Sequence, residues 1–224
     1  MLKNPKFYIF FIAVFVLVSI AKAEAATLGV KNKQGTPISE VVVILKPIGV
    51  ALPMVTDKQK RVDVLQRNLM FEPRISLVQT GGKVSFPNFD DTQHHVYSFS
   101  KAKKFEFPLY HGQSPEIVLD QEGIISVGCN IHDWMLAYIV VSDSPYFGLS
   151  NKKGWVNIPN VADGQYNVLY WSVDMDPEKG LQTAQTITIS GNSKQWLTFS
   201  GLDAKTSKSW PKEPSYDVDM SERY

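Results

Sequence analysis

The chain has 224 residues, and 23 Lys and Arg nearly balance 22 Asp and Glu for a formal net charge of +1. That balance supplies no basic field for nucleic acid and no strongly acidic surface. A single cysteine excludes an intramolecular disulfide.

Residues 1–25 read as a secretory signal. Lys3 and Lys6 precede an uncharged apolar run from Phe7 to Ile20, and small residues follow at Ala21, Ala23 and Ala25, so cleavage is expected after Ala23 or Ala25. The run is short for a membrane span. A periplasmic location is expected, and the remaining length of about 200 residues suffices for one large or two small domains with real cores.

Beyond the signal the sequence alternates short strand patterns with turn residues and shows no long helical period, which predicts an all-β fold. Thr27–Lys31 and Val41–Pro47 read as a strand pair across the turn-rich Asn32–Gly35, and residues 48–65 are mixed. Ile75 and Leu77, then Gly81-Gly82, then Val84 and Phe86 make a hairpin pattern. In Gly123–Cys129 the two-residue period puts Ile125, Val127 and Cys129 on one face, aiming the sulfur inward at the strand's end. Leu136–Val141 reads as the next buried strand. Trp155–Ile158, Tyr166–Trp171, Thr183–Ile189 and Trp196–Phe199 follow, with Tyr166, Trp171 and Trp196 expected in a sandwich core. The polar segment 201–224 is expected to be a flexible tail.

The chemistry concentrates on Cys129-Asn-Ile-His132-Asp-Trp-Met135, which carries the cysteine, a histidine and a methionine at three-residue steps. Thiolate, imidazole and thioether are soft ligands. With one further histidine they form the trigonal His2Cys set with a weak axial Met that suits copper. His94 and His95 are the candidates for that histidine, and neighbours on a strand point to opposite faces, so only one can reach the metal. A lone thiol in an oxidising space is also protected when a metal holds it buried. Zinc accepts the same Cys and His ligands but gains little from a thioether, so Met135 favours copper. A cysteine hydrolase would need an activating histidine and an oxyanion pocket, which a buried sulfur beside Trp134 and Met135 does not suggest. Asp90 and Asp91 read as turn formers or solvated charges, and His111 as a surface loop residue.

Phe71-Glu-Pro73, Gly82-Lys-Val-Ser-Phe86-Pro-Asn88, His94-x-Val96 and Cys129-x-x-His132-x-x-Met135 together resemble the cupredoxin, or blue-copper, family, over about residues 66 to 142. The ligand loop is similar to the amicyanin type. Its wider setting resembles the cupredoxin-like methylamine utilization protein group. The resemblance implies a Greek-key β-sandwich with one mononuclear type 1-like copper site held by His94, Cys129, His132 and Met135. His95 stands where the family usually has an asparagine, and Asp133 where the amicyanin-like loop has proline. The flanks look like halves of a carboxypeptidase-regulatory-like sandwich. The expected organisation is therefore residues 26–50 plus 145–200 as a regulatory-like β-sandwich, 51–144 as the cupredoxin domain, and 201–224 as the tail.

The function these observations imply is an exported electron carrier, not an enzyme, which passes single electrons between redox partner proteins. By resemblance such partners dock transiently near the edge of His132 and Trp134. The alternative is a periplasmic copper-binding, delivery or sensing module with no electron-transfer role, and a surface adhesion or carbohydrate-binding protein with a vestigial site is a third reading.

Overall fold

A computed structural model describes residues 24–52 and 61–202. Residues 1–23 of the expected signal, 1–25, and residues 203–224 of the expected tail, 201–224, lie outside the described residues. The described chain is all-β, as its strand patterning predicts, with one 3-10 turn at Pro177–Lys179.

Strands β1 (Glu24–Lys31) and β2 (Val41–Pro47) come first. The central part contributes β3 (Arg61–Asp63), β4 (Leu65–Arg67), β5 (Met70–Glu72), β6 (Ile75–Gln79), β7 (Gly82–Ser85), β8 (His94–Ser98), β9 (Phe105–Tyr110), β10 (Ile117–Leu119), β11 (Gly123–Cys129) and β12 (Leu136–Ser142). The last part adds β13 (Phe147–Leu149), β14 (Trp155–Val161), β15 (Gly164–Ser172), β16 (Gln182–Ile189) and β17 (Lys194–Thr198).

These strands stack as four sheets in the order β14-β1-β17, β13-β2-β15-β16, β6-β12-β11-β8-β9 and β10-β7-β3, with β4 and β5 as a separate ribbon. Three apolar layers lie between them. The first packs Leu28, Val30, Val43, Leu45, Ile158 and Tyr166. The second, around Phe71, Phe86, Val127 and Ile139, includes Cys129 and Met135. Between them a seam of Val42, Ile44, Ile75, Ile124, Val140 and Trp171 joins β2 and β15 to β6, β11 and β12.

The run Val41-Val-Val-Ile-Leu45 is buried throughout because β2 is covered on both faces: Val41, Val43 and Leu45 enter the first layer, Val42 and Ile44 the seam. β12 works the same way, with Ala137, Ile139 and Val141 facing the second layer and Tyr138 and Val140 the seam.

Three local expectations are corrected. β1 and β2 do not pair: β1 lies between β14 and β17, and β2 between β13 and β15. They face each other across the first layer, and the turn between them crosses from sheet to sheet. β6 and β7 likewise form no hairpin, since β6 pairs in parallel with β12 while β7 pairs with β10 and β3. Trp196 leaves the core and lies 41% exposed on the outer face of β17. Gly29 across the ladder lets it do so, because a Cβ there would overlap the indole ring.

Candidate metal centre

The five-stranded sheet positions the centre. Cys129 ends β11 directly opposite Val96 of β8. In β8 the burial alternates, so His94, Val96 and Ser98 point inward and His95 and Tyr97 outward. His94 is fully buried and Cys129 is 3% exposed. After Cys129 the loop turns back on a hydrogen bond from the Met135 N–H to the His132 carbonyl, 2.9 Å long. That turn sends the Met135 side chain into the apolar layer that holds Cys129 and leaves His132 half-buried at the surface.

Three ligand atoms converge. Cys129 Sγ lies 3.7 Å from Nδ1 of His94 and 3.7 Å from Nδ1 of His132, and the two nitrogens are 3.1 Å apart. Bonds of about 2.3 Å to sulfur and about 2.0 Å to nitrogen, opened at about 120°, would separate sulfur from nitrogen by about 3.7 Å. The 3.1 Å between the nitrogens narrows the angle between two such nitrogen bonds to about 100°, and the triangle accommodates one metal ion. Among the described residues this is the group of His, Cys, Asp and Glu side chains arranged to hold a metal ion.

His95 turns away. Its Nε2 meets Oε1 of Glu106 at 2.8 Å, while its backbone carbonyl accepts the Asn130 N–H at 3.0 Å. The His95 main chain thus ties the segment that carries His94 to the loop after Cys129.

Asp90 has a role that its sequence context hides. Its Oδ2 accepts a hydrogen bond from His94 Nε2 at 2.9 Å and another from the Leu69 N–H at 3.2 Å. With Asp90 holding the hydrogen on Nε2, Nδ1 is the ring nitrogen whose hydrogen a metal ion beside Cys129 would displace. Asn88 fixes the turn that delivers Asp90: its Oδ1 accepts the Asp90 N–H at 2.9 Å, and its Nδ2 donates to the carbonyls of Thr92 and Tyr110 at 2.8 and 3.0 Å. The only sequence signal for this arrangement is an acid four residues before the histidine, in a loop where acids are common turn formers. The indole N–H of Trp134 is likewise used, donating to the Leu69 carbonyl at 3.0 Å.

Electrostatics favour a thiolate. Burial alone pushes the Cys129 thiol up, but hydrogen bonds from His94 and from the backbone N–H groups of Ile131, His95 and His132 outweigh it and hold the thiol below its ordinary value. For His94, burial disfavours the charged ring, and the contacts with Cys129 and Asp90 more than reverse that. A thiolate and two imidazole nitrogens, with a thioether buried in the same layer, form a soft donor set suited to copper. His111 is exposed, apart from this cluster, as expected.

No described protein family matches the chain, and no curated relative matches it. Solved structures that it resembles include a mutant of amicyanin in the oxidized state, at 19% identity and a TM-score of 0.34 over 37% of this chain and 82% of that one. A novel purple cupredoxin from Nitrosopumilus maritimus aligns at 22% identity and a TM-score of 0.32, over 37% of this chain and 98% of that one. A Cu-containing nitrite reductase from Thermus scotoductus SA-01 aligns at 22% identity and a TM-score of 0.35, over 43% of this chain and 25% of that one. Among the described residues no helix is long and apolar enough to cross a membrane.

Proposed function

We propose that this is an exported mononuclear copper protein that carries single electrons between redox partners, with His94, Cys129, His132 and Met135 as ligands and no substrate bond made or broken. The observation that carries this reading is the triangle of Cys129 Sγ and the two Nδ1 atoms at 3.7, 3.7 and 3.1 Å. Copper supplies a site that gains and loses one electron. The protein supplies stiffness: β8 and β11 hold two ligands inside a packed layer, and Asp90 and the His95 carbonyl fix the approaches to them. A donor set that moves little between oxidation states keeps the cost of each transfer low.

Of the two histidines only His132 reaches the surface, so it is the route by which electrons leave. Exposed Ile131, 47% accessible, and half-buried Trp134, whose ring packs on that of His132, give a partner an apolar landing area beside it. Contacts of that kind are small and short-lived. The apolar run at Phe7–Ile20 supports the reading of a periplasmic protein, and on the same reading residues 51–144 are a copper domain inserted in the sandwich of residues 26–50 and 145–200.

A redox titration of the copper-loaded protein tests this. A reversible one-electron couple with fast exchange against a soluble redox mediator supports the carrier. Copper that is lost on reduction would instead support delivery.

A further inference from the structure

The peptide unit of Leu69 touches both halves of the centre. β4 and β5 are joined by a two-residue turn, Asn68-Leu69, between the paired Arg67 and Met70. Both turn residues sit at φ 54°, the left-handed pair that such a hairpin turn requires. A leucine keeps that backbone only where its surroundings hold it there. Here the Leu69 N–H donates to the Asp90 carboxylate that carries His94, and the Leu69 carbonyl accepts the indole N–H of Trp134 on the ligand loop. The hairpin is itself rooted beside the His94 segment: the Gln66 N–H donates to the Pro87 carbonyl and the Phe89 N–H to the Gln66 carbonyl, at 2.9 and 2.8 Å.

An ion held by His94, Cys129 and His132 can leave only if one ligand lets go. His94 and Cys129 belong to strands and are buried, whereas His132 sits half-buried between exposed Ile131 and Asp133. The loop must swing to release it. Asn130 to His95 holds one end of the loop, the Ile131 and His132 N–H groups turn in on Cys129, and Met135 to His132 closes the loop on itself. The Trp134 bond anchors its middle to a separate element, and the indole also packs on the His132 ring with centroids 5.2 Å apart.

We propose that the β4–β5 hairpin is a latch on the metal centre, and that the hydrogen bond from Trp134 to the Leu69 carbonyl sets the rate at which the 130–135 loop opens and metal enters or leaves. The latch governs exchange at the site of the proposed function and so rests on that reading for the identity of the metal. Trp134→Phe is the direct test, because it keeps an aromatic ring beside His132 while removing the indole N–H.

Copper(I)-loaded full chain and variant are mixed with excess of a coloured Cu(I) chelator and the capture rate is followed. The latch predicts capture about fivefold to tenfold faster in the variant, the rate equivalent of one lost hydrogen bond, with the visible spectrum of the Cu(II) form unchanged. Amide exchange of the metal-free proteins is the second measurement, and it predicts faster exchange at residues 130–135 with β12 unchanged. Equal capture rates, equal exchange in the loop, or a uniform acceleration that includes β12 would each overturn the latch. Wild-type protein that takes up no copper would overturn the copper reading instead, and the exchange comparison would still decide the latch.

Discussion

Nε2 of His94 donates to Oδ2 of Asp90 at 2.9 Å, on the ring edge turned away from Cys129. This bond selects the tautomer that leaves Nδ1 open to a metal and stops the ring from rotating. Asp90→Ala is expected to lower copper affinity by about 10- to 100-fold, and Asp90→Asn, which retains an acceptor oxygen, by less. Equilibrium competition with a chelator of known affinity measures both.

His95 makes the opposite prediction although it is the next residue. Its ring bonds Glu106, whose side chain is 59% exposed, and a surface pair of that kind contributes about 0–1 kcal/mol. His95→Gln should bind one copper with an unchanged spectrum and unfold within about 1 kcal/mol of wild type, whereas His94→Gln should lose the thiolate-to-copper band. A His95 variant that loses the band would reverse the ligand assignment.

Tyr110 sits behind the centre, where burial pushes its phenol up to about 12. Its hydroxyl donates to the Phe86 carbonyl at 2.5 Å and accepts from Gln66 Nε2 at 2.6 Å. The folded state thus holds the proton more tightly than the unfolded state, whose phenol titrates at its ordinary value of 10.0. The resulting stability is complete below that value and is lost as pH rises toward about 12. Tyr110→Phe should cost about 1 kcal/mol near neutral pH and flatten this alkaline loss, as urea unfolding at about pH 8 and about pH 11 would show.

Because the seam packs β2 and β15 on β6, β11 and β12, the layers on its two sides are expected to unfold as one cooperative unit. Trp171 is fully buried there, its ring 4.9 Å from that of Tyr138. Truncation by Trp171→Ala should cost about 3–5 kcal/mol. Wild-type protein should show a single calorimetric transition, and two well-separated transitions would mean that the seam does not couple the layers.

The site was more readable in the sequence than the sheet order. Cys129, His132 and Met135 share one loop, so their spacing alone suggests a ligand set, and strand alternation at His94-His95 permits only one inward ring. Asp90 escaped because a carboxylate that binds a ligand histidine and one that forms a turn look alike in a string of letters. Alternation likewise tells faces from one another but not partners. It found β6 and β7 yet not that Thr80-Gly81 carries the chain to the opposite sheet, and it marked Trp196 as apolar without showing that Gly29 would seat it on the outer surface. Leu69 acts through its main chain, so its side chain holds no trace of the role.

The visible absorption spectrum of the purified chain loaded with one equivalent of Cu(II) decides whether Cys129 and the two histidines hold copper. A thiolate held with two imidazoles on cupric ion should give an intense charge-transfer band that disappears on reduction and is absent in Cys129→Ser. A colourless cupric protein, or a band that survives Cys129→Ser, would rule out a copper–thiolate centre.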